Sequence, residues 1–167
     1  MKPSKYSILL LIFVLGCNSN DKATPPPSNQ AEQIIKKFEL TETIEGTTNF
    51  RLNADKALLY GDRTIVYEVI LNFYKLGTPY ATLTSDSGVI FGATNDMEAM
   101  SNVKVVGVDG VKLETNSLKW SNGEAKIRTE DRVIITTKEN KKVEGINFES
   151  DPGLTHIKLK ETHGYSE

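Results

Sequence analysis

One cysteine, one tryptophan and two histidines are all that this chain of 167 residues contains of those types, and each scarcity excludes something. A lone Cys17 cannot form an intrachain disulfide, so the fold must rest on its core alone. His156 and His163 have no cysteine beside them and no metal-ligand spacing, so they read as exposed polar residues and no metal site is expected. No G-x-S-x-G elbow and no G-x-x-x-x-G-K-[ST] phosphate loop occurs. Asp62, Asp86 and Asp131 are scattered acids beside turns or at strand ends, where they read as turn chemistry. Glu42 and Glu45 precede Gly46 and read as solvating a loop. No residue is a candidate for catalysis, and no cofactor is expected. The formal charge of -2 becomes -4 once Lys2 and Lys5 are set aside. With no clustered basic face, nucleic acid is not an expected partner.

Long hydrophobic runs are also missing. The apolar stretch Ile8 to Leu15 falls short of the roughly 20 residues a membrane-spanning helix needs. Behind Lys2 and Lys5 it fits a secretory signal. Val14-Leu15-Gly16-Cys17 resembles the lipobox of bacterial lipoproteins, with Val14 where leucine is most usual and Leu15 where a smaller residue is common. The expectation is a lipidated Cys17, carrying more than one acyl chain as stable anchoring requires. Residues 1–17 are thus a signal segment, and residues 18–37 a polar tether around Pro25-Pro26-Pro27. From Asn18 to Gln33 that tether could reach roughly 50 Å from a membrane. Within it, Gln30 to Phe38 is expected to make a short helical turn with Ile34, Ile35 and Phe38 on one side. Residues 38–160 form the folded domain and 161–167 a polar tail.

From Phe38 onward the period is two. Between Thr64 and Lys75, one face reads Ile65, Tyr67, Val69, Leu71 and Phe73, and the other is mixed, as for a long strand with one face inward. Val103 and Val105, and then Val133 and Ile135, repeat the pattern in shorter runs. Asp109-Gly110 and Asn122-Gly123 are hairpin turn signals. The fold class is all-β.

A weak repeat lies beneath the strands. Leu52-Asn53-Ala54-Asp55, Leu83-Thr84-Ser85-Asp86, Leu113-Glu114-Thr115-Asn116 and Ile127-Arg128-Thr129-Glu130 each run apolar, polar, small, then polar or acidic. The apolar and small residues would share a face, the small one leaving room at a crowded bend. Stacked strand pairs of this kind make a β-roll or an open jelly roll. The apolar face from Ile65 to Phe73 is either ordinary core or the wall of a groove able to hold acyl chains, and these residues alone leave both open.

The arrangement resembles the LptC family of the lipopolysaccharide export machinery. The resemblance runs from Phe38-Glu39-Leu40-Thr41-Glu42-Thr43 through Phe50-Arg51-Leu52-Asn53-Ala54-Asp55 and Leu83-Thr84-Ser85-Asp86-Ser87-Gly88. It continues through Asn102-Val103-Lys104-Val105, Asp109-Gly110, Leu118-Lys119-Trp120 and Val143-Glu144-Gly145 to about Lys160. It implies an open, twisted β-jelly roll that takes lipopolysaccharide from an inner-membrane ABC transporter and passes it to a periplasmic β-jelly-roll bridge protein. On that reading the acyl lining is Ile65, Tyr67, Val69, Leu71, Phe73, Leu83, Val103, Val105, Leu113, Ile127, Val133 and Ile135. The partner edges are the strand at Phe38 and Leu40, and a donor strand from Leu154 to Lys160 carrying Ile157 and Leu159. Family members commonly carry a transmembrane helix where this chain has Cys17. The expected location is the periplasmic side of the inner membrane, held by the lipid anchor, with the outer membrane as the alternative. A β-rich lipoprotein scaffold that binds no lipid is the competing reading. An envelope carbohydrate enzyme stands further off, since no carboxylate pair presents itself.

Overall fold

Several reversals of the chain are made at glycines of positive φ. Gly46 (φ 78°), Gly77 (φ 76°) and Gly110 (φ 81°) close every other one of the first five hairpins, where a side chain would be strained. In the computed structural model, which describes residues 30–165, the regular elements are strands. They are β1 (Gln33–Ile44), β2 (Thr47–Leu59), β3 (Arg63–Lys75), β4 (Thr78–Phe91) and β5 (Met97–Gly107), then β6 (Lys112–Ser121), β7 (Lys126–Thr129), β8 (Val133–Thr136), β9 (Lys142–Ser150) and β10 (Lys158–Tyr165). All belong to one antiparallel sheet in chain order. Strands β7 and β8 are two halves of one interrupted strand, both lying between β6 and β9.

A crease crosses this sheet. Lys37, Glu68, Ser101, Asn102, Asn147 and Glu161 all have positive φ inside strands β1, β3, β5, β9 and β10. Their cross-strand neighbours on β2, β4 and β6 are Asp55, Asp86 and Asn116, as the flanking register pairs show. The interruption at Glu130–Arg132 continues the line between β7 and β8. Left-handed conformations cost non-glycine residues about 1–2 kcal/mol each, so they are held in place by what the bend buries. Asp55, Asp86, Asn116 and Glu130 are the fourth residues of the four repeats. The first residues, Leu52, Leu83, Leu113 and Ile127, are buried inside the bend, as are the small third residues Ala54, Ser85 and Thr129. The repeat therefore marks where each hairpin folds over.

The left-handed turn of the backbone at the crease flips the parity of burial. Phe50, Leu52 and Ala54 point inward before it on β2 and Ala57 after it; Val66 does so before it on β3, and Val69, Leu71 and Phe73 after it. The sheet is thereby bent into two leaves that pack face to face. Leaf A carries the turns after β1, β3, β5 and β8, and leaf B those after β2, β4, β6 and β9. Strand β1 and the β6–β7 turn are about 24 Å apart along a flat sheet. Their side chains nonetheless hydrogen bond at 2.9 Å, which only a folded sheet allows.

Three boundaries differ from expectation. The stretch Gln30 to Phe38 is not a helical turn: from Gln33 it pairs with β2 as an edge strand, from Gln33↔Leu59 onward. Pairing with β2 overrides the helical spacing of Ile34, Ile35 and Phe38, and the β-branched Ile34-Ile35 suits a strand. At the other end, the strand placed at Leu154–Lys160 starts only at Lys158 and runs to Tyr165. Asp151 Oδ1 accepts from the backbone N–H of Thr155 (2.9 Å) and His156 (3.0 Å), turning the chain before the strand can begin. The folded part thus extends beyond residues 38–160 in both directions. The signal segment, Cys17 and most of the tether lie outside the described residues.

Candidate functional site

The interior is one apolar cluster. Val69, Leu71, Phe73, Leu83, Val103, Val105, Leu113, Ile127, Val133 and Ile135 all lie in it. Ile65 and Tyr67 do not. The parity flip at Glu68 (φ 54°) turns both to the outer face, where Lys56 Nζ sits 4.3 Å above the Tyr67 ring, and Val66 takes the inward place. An alternation read straight through a left-handed residue assigns every residue on one side of it to the wrong face.

Several interior residues escaped the sequence reading. Phe50, Leu118, Trp120 and Phe148 are all buried. Phe73 from leaf A meets Trp120 from leaf B with ring centroids 4.9 Å apart and planes tilted by 60°, a favourable edge-on geometry. Leu52 was legible, since the repeat marks it. Between the leaves remains a cavity of about 20 Å³, bounded by residues including Leu52, Leu71, Leu83, Leu118 and Trp120. That is room for about one water molecule. In this conformation the interior is filled core.

The two leaves meet along a seam on the side away from the crease. Near β1, Glu42 accepts hydrogen bonds from Asn122 Nδ2 (2.9 Å), Asn95 Nδ2 (3.1 Å) and Asn49 Nδ2 (2.6 Å). Glu42 thus does not merely solvate a loop, as its sequence position implied; it joins leaf A to two turns of leaf B. Further along, the segment after β9 crosses over and buries Pro152, Gly153 and Leu154. Gly153 lies against the Tyr80 ring and the backbone of Gly107. Burial, with a smaller contribution from nearby Asp151, pushes the Tyr80 hydroxyl up to about 12. Burial alone would raise the Asp151 carboxyl, but hydrogen bonds from Thr155, His156 and Ser150 outweigh it and hold it below its ordinary value.

Two sheet edges stay open: β1 pairs only with β2, and β10 only with β9, among the described residues. Phe38 and Leu40 sit half-buried on β1. Leu159 is half-buried on β10, and exposed Ile157 just precedes that strand. Beside the β10 edge, Glu149 accepts from Lys126 (2.9 Å), Arg128 (2.9 Å) and Lys158 (3.3 Å). These hydrogen bonds hold its carboxyl down to about 2, and tie β7 and β10 across β9. No group of His, Cys, Asp and Glu among the described residues is arranged to hold a metal ion.

The geometry is thus a folded sheet with an apolar interior, a seam and two free edges. No curated protein matches the chain. A family model described as "Lipopolysaccharide-assembly, LptC-related" matches residues 6–167. That span takes in nearly the whole chain, and this protein belongs to the LptC family.

Proposed function

We infer that this protein relays lipopolysaccharide across the periplasm by lodging its acyl chains between the two leaves. The observation that carries the reading is an interior dominated by apolar side chains from both leaves of one open-edged sheet, in a member of a lipopolysaccharide-assembly family. Burial of a methylene is worth about 0.8 kcal/mol relative to water, so acyl chains would hold such an interior well once the leaves part. The lining consists of Val66, Val69, Leu71, Phe73, Leu83, Val103, Val105, Leu113, Ile127, Val133 and Ile135.

Free edges supply the docking chemistry, because unpaired N–H and C=O groups accept an added strand. On this reading β1, with Phe38 and Leu40, faces an inner-membrane ABC transporter. Strand β10, with Leu159 and the preceding Ile157, faces a periplasmic β-jelly-roll bridge protein. The transporter's ATP hydrolysis supplies the driving force, and this chain performs no chemistry. Lipidated Cys17 holds it at the inner membrane.

The filled interior favours one other reading, a scaffold that joins envelope proteins and binds no lipid. Native mass spectrometry of the full chain with purified lipopolysaccharide separates the two. The relay reading expects a complex of one chain with one lipopolysaccharide. A chain that stays free of lipid while still pairing with the bridge protein would establish the scaffold instead.

A further inference from the structure

On the crease side the leaves are joined by continuous, hydrogen-bonded strands, so they can part only at the seam. There, near β1, the contacts are polar. Glu42 is the hub, accepting from three asparagine amides: Asn49 on its own leaf, and Asn95 and Asn122 at the turns of leaf B. Asn49 and Asn122 also meet directly at 3.4 Å, and Asp96 Oδ1 fixes the Asn122 backbone N–H at 2.8 Å. Phe50, the register partner of Glu42, is also the partner of Phe73, whose ring meets Trp120. The indole N–H of Trp120 is buried without an acceptor among the described residues.

We propose that this seam is the port through which acyl chains enter, and that the Glu42–asparagine network is the clasp that holds it shut. The proposal rests on the lipid-relay reading above. Three observations support it. The internal cavity of about 20 Å³ is far too small for an acyl chain, so entry requires the leaves to separate. Carboxylate–amide bonds at a half-buried surface can be exchanged for bonds to water at small net cost, whereas a wholly apolar seam would open only by exposing its core. Finally, Trp120, two residues before Asn122, has a buried N–H with no acceptor among the described residues. A buried donor without an acceptor disfavours the closed state, and the hydroxyl and ester oxygens of an acylated glycolipid supply that acceptor on entry. Glu42 also stands on the free edge strand β1, which places the clasp beside one of the expected docking edges.

Trp120 is the sole tryptophan, so its emission reports directly on the port. In stopped-flow mixing of the full-length chain with purified lipopolysaccharide, Glu42→Ala should speed the change in Trp120 emission about tenfold, the worth of roughly one charge-assisted hydrogen bond. Glu39→Ala, on the same strand with no place in the clasp, should leave the rate unchanged. A lock provides the opposite test. Asn49→Cys together with Asn122→Cys, bridged by a short cleavable bis-thiol reagent and verified by mass spectrometry, should abolish uptake until the bridge is cut. Wild-type uptake by the locked chain would overturn the clasp and leave the relay reading standing. No uptake by the unmodified chain would overturn the relay reading and the clasp with it.

Discussion

Gly107→Ala tests the seam where the β9–β10 segment crosses it. The φ of Gly107 is not left-handed, so an alanine there meets no backbone objection of its own. A Cβ at that position would lie 2.4 Å from the Gly153 carbonyl oxygen and 3.1 Å from its carbon. Both are backbone atoms, and no side-chain rotation relieves the clash. The segment must retreat by roughly 1 Å to restore an ordinary contact. That retreat loosens the burial of Pro152, Gly153 and Leu154. Overpacking of this kind costs about 1–3 kcal/mol. At about 3–5 °C per kcal/mol for a domain of this size, the melting temperature should fall by roughly 3–15 °C. Thermal unfolding followed by Trp120 emission measures it. Gly123→Ala is the control, because a Cβ there meets nothing within 4 Å and its φ is ordinary; it should change stability by less than about 0.5 kcal/mol. Equal melting temperatures for Gly107→Ala and wild type would refute the packing of this segment across the seam.

Three further outcomes can be measured. Phe73→Ala should cost about 3–5 kcal/mol in urea unfolding and red-shift Trp120 emission, whereas Tyr67→Ala on the outer face should cost about 1 kcal/mol or less through its Lys56 contact; equal costs would contradict the parity flip at Glu68. The Glu149 carboxyl is held down to about 2 in the folded protein, so its contribution is full above its ordinary value and is lost as pH falls toward 2. Glu149→Gln should therefore flatten the acid limb of a stability–pH profile between about pH 4.5 and 2 and leave the profile near neutrality unchanged in shape. Cys17→Ser should abolish the acylation expected of the wild-type chain, read by metabolic labelling with a fatty-acid analogue; a wild-type chain that takes up no label, or a variant labelled as strongly as wild type, would contradict an anchor at Cys17.

How much was legible depends on how local the signal is. Period-two alternation located β3, β5 and β8, and Asp109-Gly110 located a turn, because burial on one face and a demand for positive φ write themselves into neighbouring residues. The four-residue repeat located the crease, although its meaning emerged only when Asp55, Asp86, Asn116 and Glu130 lined up across the sheet. Ile65 and Tyr67 were misassigned because nothing in Tyr67-Glu68-Val69 announces a left-handed Glu68; that conformation is imposed by the bend. The start of β1, up to Phe38, was mistaken for a helical turn because an edge strand is defined by its partner, here residues 16 or more positions away in β2, from Phe38↔Ala54 to Gln33↔Leu59. Glu42 was passed over for the same reason. Its partners Asn95 and Asn122 are 53 and 80 residues distant, and only the folding of the sheet brings them together.

The central claim is that acyl chains pass between the leaves. In-cell photocrosslinking tests it most directly, with a light-activated residue at inward Val69 and, as outward controls, at Tyr67 and Glu68. Lipopolysaccharide adducts at Val69 that require ATP hydrolysis by the transporter, with none at Tyr67 or Glu68, are the predicted result. A folded, anchored protein that gives no adduct at Val69, Leu83 or Val105 would contradict it and leave a packed scaffold.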